Sequence, residues 1–560
     1  METKEKNLFR GMQVLFIILP FFYGMYYEFC GTVITVLILG ILILLFLKKR
    51  HLRLSLSVGF FMSILFVACY FITIPYAVDS GIAALGAAKV IWIPLFLIAC
   101  HQLPSEKRNK IFSMIPYMGV LLCLLGFMAY FLPWLQGYFY INGRLSSGFQ
   151  YANTFALFLL AGIILLCDKK EMVWKDYLSG GILLCGIALS GSRIVFVLTF
   201  LTLLYLIIRN KNLRLAAGIS FLAAIFLLYI FFQKDVRNIG RITTISFTDS
   251  TLLGRFLYAG DALGLLLKHP FGMGHMGYYY MENEIQTGMY SVQYVHNDLL
   301  QIGLDLGLIP MLLYVAAVVY CLAGKQIPHD KKLILLVVFL HGLLDFDLAY
   351  SVILCMVFMV MDDRMIMWKD WKISQTIHIR GKQWLAVSGV LLFGALYLSV
   401  PLIARYQEKM NLAIQWYPWD TEAKLALLSE SEDARRVNRL ADEILHQNDT
   451  CALAYYAKAM VANCNNHYKK MIWYQKESIA RNYFSHEAYL NYAYMLYDGL
   501  YYAAETGNEQ VYAMCKKEME KLPSYMESAK KKLGKLGKMI HDQPDLEVDE
   551  EMQEIMKILK

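Results

Sequence analysis

The sequence predicts an all-α membrane protein: a polytopic transmembrane helical bundle over residues 1–404, followed by an α-helical repeat domain outside the membrane over 405–560. Three observations carry that reading. Of 560 residues, 58% are hydrophobic and 18% charged, with a mean hydropathy of +0.44, more apolar and less charged than soluble domains are. The apolar residues fall into long runs separated by short basic loops. From Arg405 onward the chain turns polar and near charge balance, with Ala, Tyr and Leu at helical spacing.

Apolar runs lie at 11–29, 31–47, 54–77, 81–100, 111–133, 151–167, 177–190, 194–208, 213–232, 299–323, 333–347, 349–361 and 384–403. A crossing takes about 20 apolar residues, so these give about 12–13 spans. Cations collect in alternate loops: Lys48 to Arg53, Lys107 to Lys110, Lys169 to Lys175, Lys325 to Lys332, and Arg364 to Lys382. With Lys4, Lys6 and Arg10 they place the N-terminus in the cytoplasm and residues 233–298 outside. An odd number of spans then puts the C-terminal domain outside too, in a multi-pass protein of the cytoplasmic membrane. The first run lacks a small-residue cleavage site and reads as an anchor. Eleven cysteines occur without a CxxC or metal spacing, most of them within spans, which predicts buried thiols. The net charge of +8 sits largely in the basic loops, where it orients the chain and gives no support to nucleic-acid binding.

Residues 1–133 read as anchoring helices. Lys89 is a charge within a span, and two placements are open: snorkelling to the headgroups, or facing a cavity inside the bundle. Arg144 precedes a helix that starts near Tyr151-Ala152-Asn153, and an Arg beside a helix N-terminus forms an anion site. The tight turn Ser190-Gly191-Ser192-Arg193 offers the same chemistry. Both Arg residues stand on outer loops otherwise poor in cations, which favours phosphate contact over a topological role.

Residues 251–269 predict an amphipathic helix in the outer region 233–298. Leu252, Leu253, Phe256, Leu257, Leu263 and Leu267 mark one face, Arg255, Tyr258 and Asp261 lie elsewhere, and Thr248-Asp249-Ser250 supplies the cap. Such a helix lies in the membrane interface or forms a lid on the bundle. From His269 to Pro310 the chain is Gly-rich, aromatic and polar, then empties into an apolar run. His296-Asn297-Asp298 falls in the first turn of the following helix, where Asn or Asp caps free N–H groups and His296 points a titratable nitrogen at the cavity. In HGLLDFDLAY, His341 and Asp345 are four apart, a spacing that puts them on one helix face and allows them to pair.

As an ordered set, GRFLYAGDALGLLLKHPFGMGHMGYYY, a spacer and VHNDLLQIGLDLGLIP resemble the signature of the O-antigen ligase and polymerase superfamily, which transfers lipid-linked oligosaccharides. The resemblance runs from about Arg144 to Tyr350 and takes in SGSR and HGLLDFD. It departs at Pro310, where a final Gly is expected, and at Gly342, where Ser is often found. It implies a C-type integral-membrane glycosyltransferase using a polyprenyl (undecaprenyl) diphosphate-linked donor on the outer face of the membrane. An acceptor hydroxyl attacks the anomeric carbon as the lipid diphosphate leaves, with inversion. His296 is then the base, histidine being the side chain that titrates near neutrality. Arg255 shares the catalytic role and holds diphosphate with Arg144 and Arg193, while Asn297, His341 and Asp345 support them. Arginines stand where other enzymes use a divalent ion, so no metal and no cofactor is expected.

The expected partners are the lipid-linked glycan donor, the bilayer, and a glycan, surface polymer or protein as acceptor. Polymerase and ligase both remain open. The C-terminal region, with small residues at Ala454, Ala457, Ala488 and Ala493, resembles tetratricopeptide-like hairpins and so offers a surface for a protein partner. The runs Lys530–Lys538 and Asp542–Glu554 read as solvated. Two non-enzymatic alternatives stand beside this. An exporter or flippase would show internal pseudo-symmetry and mid-span polar residues, whereas the polar residues here gather at the outer edge. A scaffold for the repeat domain leaves the outer Arg set and the His-Asn pair unexplained.

Overall fold

The computed structural model describes residues 2–169, 171–210, 250–366 and 376–557, so the expected span 213–232 lies outside the described residues. Among the described residues helices dominate, with two short two-stranded sheets. Among the described residues five helices are long and apolar enough to cross a bilayer: Glu28–Lys49, Val58–Tyr76, Ser80–His101, Ser105–Tyr130 and Gln383–Tyr406. The protein is a multi-pass membrane protein. Helices suit this setting because each satisfies its own backbone hydrogen bonds where water is absent.

The shorter apolar helices Ala152–Cys167 and Ser351–Met361 are buried at every position. Being apolar all round, they form the bundle's centre. Gln383–Tyr406 instead turns Val390 and Phe393 outward.

Three expected spans differ from the structure. The run 11–29 is helical only to Ile18, then passes through two 3-10 turns around Pro20 and Gly24. Pro20 removes a backbone donor, and Gly24 adopts φ +56°. The run 299–323 is two helices, Asp298–Leu306 and Leu308–Ala323, broken at Gly307 with φ +104°. The turn after Pro270 fills the break: Leu308 N donates to Pro270 O at 2.9 Å and Met273 N to Leu304 O at 2.7 Å. A Cβ on Gly307 would lie 2.8 Å from the Phe271 carbonyl carbon, so only glycine fits. The run 333–347 is helical as His329–Gly342 and ends there.

The basic loops gather at one end of the bundle. Strand Leu52–Ser55 pairs antiparallel with Thr376–Ile379, Arg108 reaches Asp362 at 2.9 Å, and Lys331 reaches Asn109 at 2.9 Å. At the other ends of the same helices lie Asp79, the 140–145 hairpin, the 277–297 segment and the C-terminal region. In that region helices Thr421–Glu430, Ala434–Gln447, Ala452–Cys464, Tyr468–Arg481, His486–Thr506 and Glu509–Lys530 pack each on the next. Ala454 and Ala493 are fully buried where they meet. Buried Asp79 ties this region to the bundle, accepting from Ile82 N and Gln447 Nε2 at 2.9 Å and from the Thr421 hydroxyl. Gly534 N to Thr287 O, 2.8 Å, ties it to the polar segment.

Candidate functional site

The site is built around Asp345. Helix His329–Gly342 stops where it meets the half-helix Asp298–Leu306: a Cβ on Gly342 would come within 2.3 Å of Asp298 Oδ2. Asp345 therefore leaves the helix, and the expected His341–Asp345 pair does not form. His341 Nδ1 lies 2.5 Å from Asp347 Oδ2, a carboxylate that also accepts from Thr154 Oγ1 at 2.7 Å. Freed from the helix, the wholly buried Asp345 accepts from Tyr151 OH at 2.8 Å, Asn153 Nδ2 at 2.7 Å and Phe346 N at 3.0 Å. Two cationic or titratable side chains complete its shell: Arg255 Nη2 at 3.2 Å and His296 Nδ1 at 3.4 Å.

Arg255 comes from the amphipathic helix Ser250–Lys268. Leu257, Ala262, Leu265 and Leu266 bury one stripe of that helix, while Phe256, Leu263 and Leu267 are exposed. Both apolar faces are therefore used, one on the protein and one turned outward. The Arg255 side chain is 10% exposed, and its buried Nε has no hydrogen-bond partner. A buried guanidinium needs a carboxylate beside it, and this one retains an unspent donor.

His296 does not fall in the first turn of the half-helix as expected: it lies two residues before Asp298, just ahead of the cap, in the left-handed region at φ +53°. Asn297 is the cap: its Oδ1 accepts from Leu300 N at 3.0 Å, while its Nδ2 donates to Leu343 O at 2.9 Å. One side chain thus joins the helix that follows His296 to the loop carrying Asp345. The imidazole stands edge-on to Phe346, centroids 4.8 Å apart, and its side chain is 20% exposed. The Nδ1 side of the ring faces Asp345, but the contact is too poorly aligned for a good hydrogen bond.

Arg144 lies on a hairpin, Tyr140–Ile141 with Arg144–Leu145, turned by Asn142-Gly143 at φ +52° and +72°. Its Nη2 donates to Asn153 Oδ1 at 2.6 Å and its Nε to Ser190 O at 2.7 Å. A chain of contacts therefore runs from the Ser190–Arg193 turn through Arg144 and Asn153 to Asp345. Arg193 opens helix Arg193–Asn210 just beyond that turn. The fold thus gathers His296, Arg255 and Asp345, brings Asn297 and Arg144 one contact away, and leaves His341 with Asp347. Tyr151, Asn153 and Phe346 are contacts the sequence reading did not assign. Their one signal is Tyr151-Ala152-Asn153 at a helix start beside Arg144. Lys89 faces inward, buried, with Nζ 4.9 Å from the Tyr26 ring centroid.

Two acids brace the polar segment before His296. Asp261 accepts from Thr287 N at 2.9 Å and Tyr290 OH at 2.9 Å. Glu282, on helix Gly277–Ile285, accepts from Val292 N at 3.0 Å. Burial raises both carboxyls, that of Glu282 to about 7. Among the described residues no group of three or more His, Cys, Asp or Glu side chains has a metal-holding arrangement.

The family model for O-antigen ligase matches residues 178–315. That segment of the O-antigen ligase match holds Arg193, Arg255, His296 and Asn297. Arg144, His341 and Asp345 come from the flanking chain. No curated protein matches this chain.

Proposed function

We propose that the protein is an integral-membrane glycosyltransferase that ligates or polymerises a polyprenyl-diphosphate-linked oligosaccharide on the outer face of the cytoplasmic membrane. The observation that carries this reading is the shared carboxylate. Asp345 holds an arginine and a histidine together at the end of the bundle away from the basic loops, and both side chains belong to the stretch that matches the O-antigen ligase family. On this reading residues 1–404 form the catalytic bundle, and residues 405–560 form a tetratricopeptide-like domain outside the membrane.

The donor's diphosphate carries charge that grows as the bond to the anomeric carbon breaks. Arg255 is the cation for it: with Nη2 held by Asp345, its planar guanidinium still has an unspent Nε donor to offer phosphate. The outward apolar face of its helix, Phe256, Leu263 and Leu267, suits the polyprenyl chain. Arg144 and Arg193 extend the positive field from neighbouring turns. His296 Nε2 takes the acceptor hydroxyl proton as the oxygen attacks the anomeric carbon and the polyprenyl diphosphate departs. Asp345 stabilises the imidazolium so formed, the role a carboxylate plays behind a catalytic histidine. A single displacement inverts the anomeric centre. Asn297 positions His296, and His341 supports the Asp347 corner.

The test uses purified full-length protein and lipid-linked glycan extracted from the producing cells. Transfer should release polyprenyl diphosphate in step with lengthened or ligated glycan. Movement of the intact donor across a vesicle bilayer without any transfer would replace this reading with that of an exporter.

A further inference from the structure

A cleft of about 580 Å³ opens between the start of helix Glu28–Lys49, the end of helix Gln383–Tyr406 and the first helices of the C-terminal region. It lies outside the Asp345 cluster. Four tyrosines line it: Tyr26, Tyr27, Tyr294 and Tyr406. Between the rings stand Glu28, Gln293, Arg405 and Glu422. Arg405 braces the two walls, donating from Nη2 to Glu28 and from Nη1 to Asp420, each at 2.9 Å.

The cleft is joined to the His296 site by aromatic surface. Tyr294 lines the cleft and stacks on Phe346 at 5.1 Å and 10°, and Phe346 meets His296 edge-on. On a second path Tyr26 meets Tyr350 at 4.9 Å. Tyr350 lies parallel to Tyr151 at 6.0 Å, and Tyr151 donates to Asp345.

We propose that this cleft is a binding site for the glycan chain, holding a neutral, hydroxyl-rich oligosaccharide whose end reaches His296. The proposal rests on the glycosyltransferase reading above. Flat ring faces match the C–H faces of sugar rings, while carboxylates, an amide and a guanidinium offer acceptors and donors to hydroxyl groups at their edges. The volume lies within the range of about 300–1,000 Å³ that small-molecule sites occupy. Charge narrows the class. The wall charges are taken up by protein partners, Glu28 by Arg405 and His275 and Glu422 by the Tyr280 hydroxyl, while Lys89 lies over the Tyr26 ring, so an uncharged glycan is the fitting ligand. The C-terminal region supplies part of the wall through Met410, Glu422 and Ala426, so the outer domain is a part of the subsite.

The test measures binding and transfer separately on full-length protein in detergent. The probe is glycan released from its lipid carrier by mild acid, with equilibrium binding read by saturation-transfer NMR. The double variant Tyr27→Ala/Tyr406→Ala should weaken binding by at least about tenfold, or about 1.4 kcal/mol, and raise KM for the acceptor by the same factor. Tyr406→Phe, which keeps the ring, should retain the affinity and serves as the folding control. Wild-type protein that transfers none would contradict the glycosyltransferase reading, and released glycan bound by that wild type but lost from the double variant would still support the cleft. Transfer by the wild type with undiminished binding in the double variant overturns the cleft. So does a double variant that loses only its affinity for vesicles of zwitterionic phospholipid, because the rings then serve the bilayer.

Discussion

Asp345 is wholly buried, and the Arg255 guanidinium and the His296 imidazole both lean on it. Asp345→Asn keeps the shape and removes the charge, leaving a buried guanidinium unpaired. Breaking such a pair costs about 3–5 kcal/mol, so the variant should lose most of its transfer activity and melt lower in detergent. Arg255→Lys should also impair transfer, because an ammonium reproduces neither the fork nor the Nε donor. Full activity in both variants would make the cluster structural. Glu282 gives a pH prediction. Its folded carboxyl, pushed by burial from its ordinary range up to about 7, makes stability greatest below the unfolded value. That stability is lost as the pH rises through about 7, with about 1.4 kcal/mol per unit as the scale. The apparent Tm of Glu282→Gln should vary less between pH 5 and 8 than that of the wild type. An unchanged pH profile would remove Glu282 from the account.

At the scale of elements, the sequence reveals what local chemistry controls. Asn297 as a cap, the amphipathic helix carrying Arg255, and the turn at Ser190–Arg193 are legible because each depends on neighbours in sequence. The pairing of His341 is not legible. Four-residue spacing predicts a partner at Asp345 only if the helix continues, and it stops at Gly342 because Asp298, from another element, packs against it. The split at Gly307 is hidden in the same way inside one apolar run. It predicts that Gly307→Ala, strained at φ +104° and pressed on the Phe271 backbone, will cost about 1–3 kcal/mol. It should also disorder the half-helix behind His296. A thermal melt and a transfer assay check both, and a neutral outcome would mean that the turn after Pro270 yields freely.

At the scale of the molecule, composition announces a membrane bundle with a polar C-terminal region, and basic residues mark one end of it. The number of crossings is less legible. Buried central helices such as Ser351–Met361 are as apolar as true spans yet shorter, since protein and not lipid surrounds them. The contacts of Asp79 with Thr421 and Gln447, and of Thr287 with Gly534, are invisible in sequence because they join residues hundreds of positions apart. They put the C-terminal region at the same end as His296. A reporter fused after Lys560 should therefore read extracytoplasmic, and one within 168–175 cytoplasmic. The same reading at both points would contradict the arrangement.

The most direct test of the central claim compares His296→Ala with His341→Ala in transfer assays on purified protein with lipid-linked donor. General-base catalysis contributes about 10²–10⁴-fold, so His296→Ala should lose activity on that scale while staying folded, its side chain lying at the edge of the site. His341→Ala should act mainly by loosening the Asp347 corner, with a loss that follows its drop in Tm. An inactive His341→Ala beside a near wild-type His296→Ala would contradict the account and move the base to the other helix.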